Sequence, residues 1–292
     1  MKNFKKLALM GLTAVMSLSL LAACGGGNSG SAETPSGNTE TPSVENTETP
    51  AASGEFTTVE AGKLIMSTNA QFPPYEMVGD GEGYEGTGYE GIDVEIAYAI
   101  AQKLGLELVV DNMGFDAALQ AVQTGKSDIV MAGVTVTDDR LEVMDFSDTY
   151  ANGIQVVIVP ENSDIATIDD LEGKLIGCQM GTTGYIYCSD TPENGGYGED
   201  AVIPYDDGAA AIQALMNGQV DCVVIDNAPA QEYVKANPGL KILDTEFANE
   251  NYAIGFAKGN TALKDAVNTA LTELIEDGTV QSIIDKYIPA EG

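Results

Sequence analysis

Residues 115–140 read FDAALQAVQTGKSDIVMAGVTVTDDR, and this stretch decides the fold class. FDAALQAVQTG (115–125) is a helix pattern closed by Gly125, a residue suited to the left-handed turn on which helices end. DIVMAG (128–133) is short and apolar and reads as a strand. Arg140 follows that strand, at the start of a short helical stretch. Upstream, KLIMS (63–67) reads as a strand, IDVEIAYAIAQKLG (92–105) as a helix and LELVVD (106–111) as a strand. In the helix Ile96, Ile100 and Leu104 recur every four residues beside Ala97 and Ala101, with Asp93 as the expected N-cap and Gly105 as the stop. Strand, helix, strand, helix, strand is the order of a mostly parallel sheet covered by helices.

Downstream a second series begins. GIQVVIV (153–159), KLIGCQM (174–180), AVIPY (201–205), VDCVVID (220–226) and YAIGFA (252–257) read as strands. Helices are expected from GTTGYIY (181–187), GAAAIQALMNG (208–218) and NAPAQEYVKANPG (227–239), then over about 261–277 and on to Tyr287. The strands run into polar loops at 69–75, 133–140, 179–184 and 226–228. Ligands of open α/β sheets bind beyond the carboxyl ends of strands, so these four loops are the expected site. Between the first strand and helix lies GDGEGYEGTGYEG (79–91), a glycine-rich segment expected as a hairpin or flap, with Tyr84 and Tyr89 on its surface. Its formal GxGxxG (Gly81, Gly83, Gly86) lacks a strand directly before it and stands among acids, which argues against a dinucleotide.

The chain carries a formal charge of −32, and Arg140 is its only arginine. No basic stripe exists to displace phosphate counterions, which argues against nucleic acid as a partner. There is no histidine, which removes Ser-His-Asp triads and histidine acid–base chemistry. Beyond Cys24 the cysteines are Cys178, Cys188 and Cys222, with no CxxC pair, so neither a metal nor a cofactor is expected. One disulfide among the three stays open. Residues 1–23 have a lysine-bearing start (Lys2, Lys5, Lys6), an apolar run and a small-residue end, the form of a secretory signal. Residues 24–55 are Gly-, Ser-, Thr-, Pro- and Glu-rich with ETP three times, the composition of a disordered tether with an average reach of roughly 30 Å.

Arg140 offers a planar, permanently charged fork that matches a carboxylate. Gly133 and Thr135 sit beside it at the strand end, and Thr182 opens a helix whose free N–H groups also suit an anion. Asp226 ends an apolar strand and can hold an ammonium. Phe72 and Phe115 can sandwich an aliphatic stem. Together they suit a zwitterion. Each has a plainer reading: Arg140 tying a surface turn to Asp138 or Glu142, Asp226 as the N-cap of the next helix, Thr182 as an ordinary helix start, and the two phenylalanines as core. No carboxylate or lysine that could act as a base is evident beside Arg140.

From about Gly62 to Ile288 the chain resembles the polar amino acid-binding proteins of bacterial ABC importers (solute-binding protein family 3). The likeness is carried in order by NAQFPPYE (69–76), YEGIDVEIAYAIAQKLG (89–105), FDAALQAVQTGKSDIVMAG (115–133), VTVTDDRLEVMDFSDTY (134–150), and GTTG and VDCVVID. It implies the two-lobed type II periplasmic-binding-protein fold, each lobe a mostly parallel sheet flanked by helices, joined by two crossover hinge strands near 151–153 and 250–253. Lobe 1 would be 56–151 with 252–292, and lobe 2 would be 152–251. It also implies a monomer that captures a free L-amino acid and delivers it to an ABC permease. Position by position, Arg140 would clamp the α-carboxylate with Thr135 and Gly133. Asp226 would take the α-ammonium, Thr182 would add a contact, and Asn69 and Gln179 would read the side chain's polar end. Two amides there, and no second cation, favour a neutral polar or basic amino acid. Leu-Ala-Ala-Cys at 21–24 resembles a lipobox, which implies an acylated Cys24 and a lipid anchor on the outer face of a cell membrane. The alternatives are an enzyme of the same fold (a dehydratase or lyase) and an extracellular amino acid sensor.

Overall fold

A computed structural model of the chain describes residues 56–289; the signal segment, Cys24 and the tether lie outside them. Its strands are β1 (Lys63–Thr68), β2 (Gln71–Phe72), β3 (Glu76–Val78), β4 (Tyr89–Glu90), β5 (Glu107–Asn112), β6 (Ile129–Val130), β7 (Met144–Pro160), β8 (Ile176–Gln179), β9 (Val202–Tyr205), β10 (Cys222–Asp226), β11 (Leu240–Ile242) and β12 (Ala248–Ala257). Its helices are α1 (Ile92–Leu104), α2 (Phe115–Gln123), α3 (Asp138–Val143), α4 (Thr183–Ser189), α5 (Gly208–Met216), α6 (Asn227–Ala236), α7 (Thr261–Glu276) and α8 (Thr279–Tyr287).

The strands line up as β5-β1-β6-β12-β7-β10-β8-β9, with β11 added along β7. At one end β5, β1 and β6 are parallel, and at the other β10, β8 and β9 are parallel. Between them β12 and β7 run antiparallel over a long stretch, from Ala257↔Met144 to Ala248↔Gln155. These two strands are the only hydrogen-bonded route through the sheet from one parallel half to the other among the described residues. The sequence reading started β7 at residue 153, nine residues late. DFSDTYANG is too polar to read as a strand, and only its pairing with β12 makes it one.

α1 buries Ile92, Ile96 and Ile100 completely, as its four-residue period requires. It stops at Gly105, whose φ of 69° lets its N–H return to Ala101 O. Asp93 is not its N-cap. Gly91 holds that place at φ 126°, where a Cβ would lie 2.3 Å from the Tyr75 carbonyl oxygen. Asp93 falls in the first turn instead, fully buried, and accepts a hydrogen bond from the Gly133 N–H at 2.9 Å.

The glycine-rich segment is a hairpin: β3 and β4 pair antiparallel through Met77↔Glu90 and Val78↔Tyr89. Its tyrosines are half-buried rather than on the surface. Tyr84 packs edge-on against Tyr98 at 5.4 Å, with the Lys286 ammonium over its ring. Cys178, Cys188 and Cys222 are free thiols, all buried in a small core with Val157, Ile176, Val202 and Val224.

Candidate functional site

Eight of the nine ligand residues singled out from the sequence line one cavity of about 320 Å³, open mouth included: Phe72, Phe115, Gly133, Thr135, Arg140, Gln179, Thr182 and Asp226. The ninth, Asn69, stands behind Gln179. Its Oδ1 accepts from Gln179 Nε2 at 3.0 Å and its Nδ2 donates to Met113 O at 2.9 Å. The two amides are thus joined to each other.

Arg140 is held from three sides. Thr137 caps α3 by accepting the Arg140 N–H at 3.2 Å, which fixes where the side chain begins. The guanidinium then donates from Nη1 to Thr135 O at 2.8 Å and from Nη2 to Gly181 O at 3.2 Å. Its Cζ lies over the Phe115 ring, 5.5 Å from the centroid. Among the described residues it makes no ion pair, so the plainer reading of a surface tie to Asp138 or Glu142 does not hold. Burial lowers its pKa, and Glu250 is the strongest acidic influence opposing that. An arginine stays charged under such a shift, with donors left to meet an anion.

Asp226 is the last residue of β10 and occupies the N-cap position of α6, yet its side chain makes no capping bond. It accepts instead from the Tyr252 hydroxyl and from Gln155 Nε2, the latter at 2.8 Å. Burial first, and Glu250 second, push its carboxyl up to about 7. An ammonium beside it would supply the missing countercharge.

Beneath these two ends lies a polar floor that sequence reasoning missed. Glu250 on β12 accepts from Thr135 Oγ1 at 2.9 Å and from Gln155 Nε2 at 3.1 Å. The Thr135 hydroxyl is therefore engaged with Glu250. Gln155 comes from β7 and Tyr252 from β12, so the two strands that run between the sheet halves also carry the floor. Glu76 and Thr183 line the cavity as well. This corrects the expectation of no carboxylate beside Arg140. Glu76 had no distinguishing signal, being one acid among 45 Asp and Glu residues in a polar loop. Gln155 sat on a strand read only for its apolar residues.

Phe72 and Phe115 serve both readings made of them. Each belongs to an apolar cluster and each lines the cavity. Phe72 stacks on Tyr75 at 5.9 Å. A Cβ on Gly133, at φ 54°, would lie 2.8 Å from the Phe72 ring, so only glycine lets this loop pass so close. Thr182 caps α4: it accepts from the Tyr185 N–H at 3.4 Å and donates to Gln179 O at 2.8 Å. Its helix-start reading holds, and it reaches the cavity from there.

Known proteins are similar to this chain in sequence and fold. Residues 64–290 match the bacterial extracellular solute-binding proteins, family 3. The chain is 34% identical over 236 residues to a probable histidine-binding protein of Neisseria gonorrhoeae, covering 79% of this chain and 85% of that protein. Among solved structures it is similar to the arginine-, lysine-, histidine-binding protein of Geobacillus stearothermophilus (TM-score 0.70, 33% identity, 79% and 96% of the two chains). It is also similar to an ancestral arginine-binding protein bound to arginine (TM-score 0.69, 39% identity, 78% and 98%). The fold is thus the two-lobed type II periplasmic-binding fold.

Proposed function

Because the chain belongs to the bacterial extracellular solute-binding proteins, family 3, we propose that its cavity captures a polar or basic L-amino acid for an ABC importer. One observation carries the reading: a buried guanidinium and a buried carboxylate line the same cavity, together with two phenylalanine rings. Arg140 takes the α-carboxylate as a charge-assisted pair, and Asp226 takes the α-ammonium. Phe72 and Phe115 hold the stem, with Gly133, Thr135, Thr182 and Gln179 around it and Asn69 supporting Gln179. The surplus of acids around the single cation favours a cationic side chain, in keeping with relatives named for arginine, lysine and histidine.

We place lobe 1 at 56–151 with 252–292 and lobe 2 at 152–251. Arg140 and Asp226 then belong to opposite lobes, and a ligand that touches both favours the closed form. The protein works as a monomer, binds without turnover and presents the closed form to a membrane permease. Cys24 is its lipid-bearing N-terminus. Two acyl chains suffice for stable attachment, and residues 24–55 form the tether.

Calorimetry against the twenty L-amino acids, with product analysis, tests the binding reading. A few polar or basic ones bind at micromolar affinity or better, none is converted, and Arg140→Ala weakens binding more than about tenfold, since a charge-assisted pair is worth roughly 1.5–3 kcal/mol. Unchanged affinity in Arg140→Ala removes the clamp. Mass spectrometry of the protein from membranes tests the anchor.

A further inference from the structure

Glu76 opens β3, is completely buried and lines the cavity, yet no N–H or O–H of the described residues donates to either of its oxygens. Facing it from α1 is Asp93, also completely buried. One Asp93 oxygen accepts from the Gly133 N–H at 2.9 Å, and the Tyr150 hydroxyl, which has no other partner, faces this carboxyl as a further donor. The two acids therefore meet acceptor to acceptor. An ionised carboxylate without donors is costly in a dry site, and two adjacent carboxylates do not both ionise.

A single proton resolves the conflict, because a protonated carboxyl is itself a donor. The Gly133 N–H and the first-turn position of Asp93 both favour the anion there, so the proton resides on Glu76. The other groups facing the pair are Tyr75, the Tyr150 hydroxyl from β7 and Asp226 from β10. Arg140, from α3, lines the same cavity. The tyrosines stay neutral, Asp226 adds negative charge, and Arg140 alone opposes it. Burial, then Asp93, raises Glu76 well above the usual carboxylate range, and burial lifts Asp93 to about 6.

We propose that Glu76 and Asp93 share one proton before a ligand enters, and that a cationic ligand side chain, ammonium or guanidinium, displaces it. The Glu76 O–H bond breaks, its electron pair stays on the carboxylate, the proton passes to bulk buffer, and the cation sits against the Glu76 carboxylate on the cavity side, with Asp93 behind it. The net charge of the subsite is thereby unchanged, one positive charge having replaced another. This rests on the amino acid reading above and adds the groups that read the side chain. A neutral side chain leaves the proton where it is. Asp226 also titrates, but it meets the α-ammonium of every amino acid, so the difference between ligands isolates the Glu76–Asp93 pair.

The test is calorimetry of the full chain with L-arginine, L-lysine and L-glutamine, near pH 6.5, in buffers of different ionisation enthalpy. A basic ligand releases about one proton more than glutamine, and its affinity relative to glutamine rises with pH by up to about tenfold per unit. Glu76→Gln abolishes the excess proton and lowers the arginine-to-glutamine affinity ratio at least about tenfold. The wild-type proton count stands without that variant, whatever the variant's folding. Equal proton release with basic and neutral ligands overturns the proposal. So does glutamine binding with neither arginine nor lysine bound, a result that leaves the amino acid reading intact. Failure of all amino acids to bind overturns both.

Discussion

Gly181 offers a way to separate folding from lobe closure with one methyl group. It precedes α4, has φ 76°, and accepts from Arg140 Nη2 through its carbonyl. A Cβ built on it lies 1.8 Å from Asp116 Oδ1 and 2.7 Å from Asp116 Cγ. Gly181→Ala therefore has two effects. The left-handed backbone disfavours alanine by about 1–2 kcal/mol in any folded state. The overlap with Asp116, on α2 in the other proposed lobe, exists only while the lobes are together. Asp116 is exposed and its carboxylate can turn aside, at a cost of about 0.5–1.5 kcal/mol. Falling on the closed form alone, this lowers ligand affinity roughly 2- to 12-fold, at about 1.4 kcal/mol per factor of ten. Denaturant melts and calorimetry with L-arginine on wild type, Gly181→Ala, Asp116→Ala and the double variant read the two effects apart. Gly181→Ala loses similar stability on both backgrounds, but shows this loss of affinity only where Asp116 is present. An affinity loss equal on both backgrounds, or no loss at all, refutes closure through this contact.

Two further outcomes follow from buried groups. Glu76, Asp93 and Asp226 have folded-state pKa values above the unfolded range, with Asp93 at about 6 and Asp226 at about 7. The folded chain thus binds these protons more tightly than the unfolded one. Its stability is highest near pH 4–5 and falls as pH rises through 6 and 7. Melting scans of the ligand-free chain should show Tm rising by several degrees from about pH 8 to 5. Asp145, lowered by the Gly259 N–H, and Asp277, lowered by the Thr279 hydroxyl and then its N–H, act oppositely only below about pH 4. Gly153→Ala places a Cβ 2.3 Å from the Tyr252 hydroxyl and 2.4 Å from Cζ. That ring is completely buried, so the variant loses about 1–3 kcal/mol and some ligand affinity, through the displaced Tyr252–Asp226 contact. A urea midpoint shift without a change of slope checks the first part.

Local pattern was enough to read most of the elements. Helices α1, α2, α5, α6 and α7 follow from apolar period and glycine or Asn-Pro-Gly stops, because helix bonds close within a few residues of where they begin. The loops at strand ends were also legible. One guanidinium after β6 and one acid ending β10 mark their positions without any partner being known. What the sequence could not show is everything defined by a second strand or a second acid. The early half of β7 exists only through β12. The polar floor of Gln155, Glu250 and Tyr252 forms because two strands about a hundred residues apart lie side by side. Asp93 reads locally as a helix cap, yet burial against Glu76 and the Gly133 N–H makes it half of a carboxyl pair. Residue type and spacing determined the βα order, the cavity's two charged ends and their sign. Tertiary packing alone decided which polar groups are dry and which donors reach them, because desolvation and hydrogen bonding depend on neighbours that a local window of sequence does not contain.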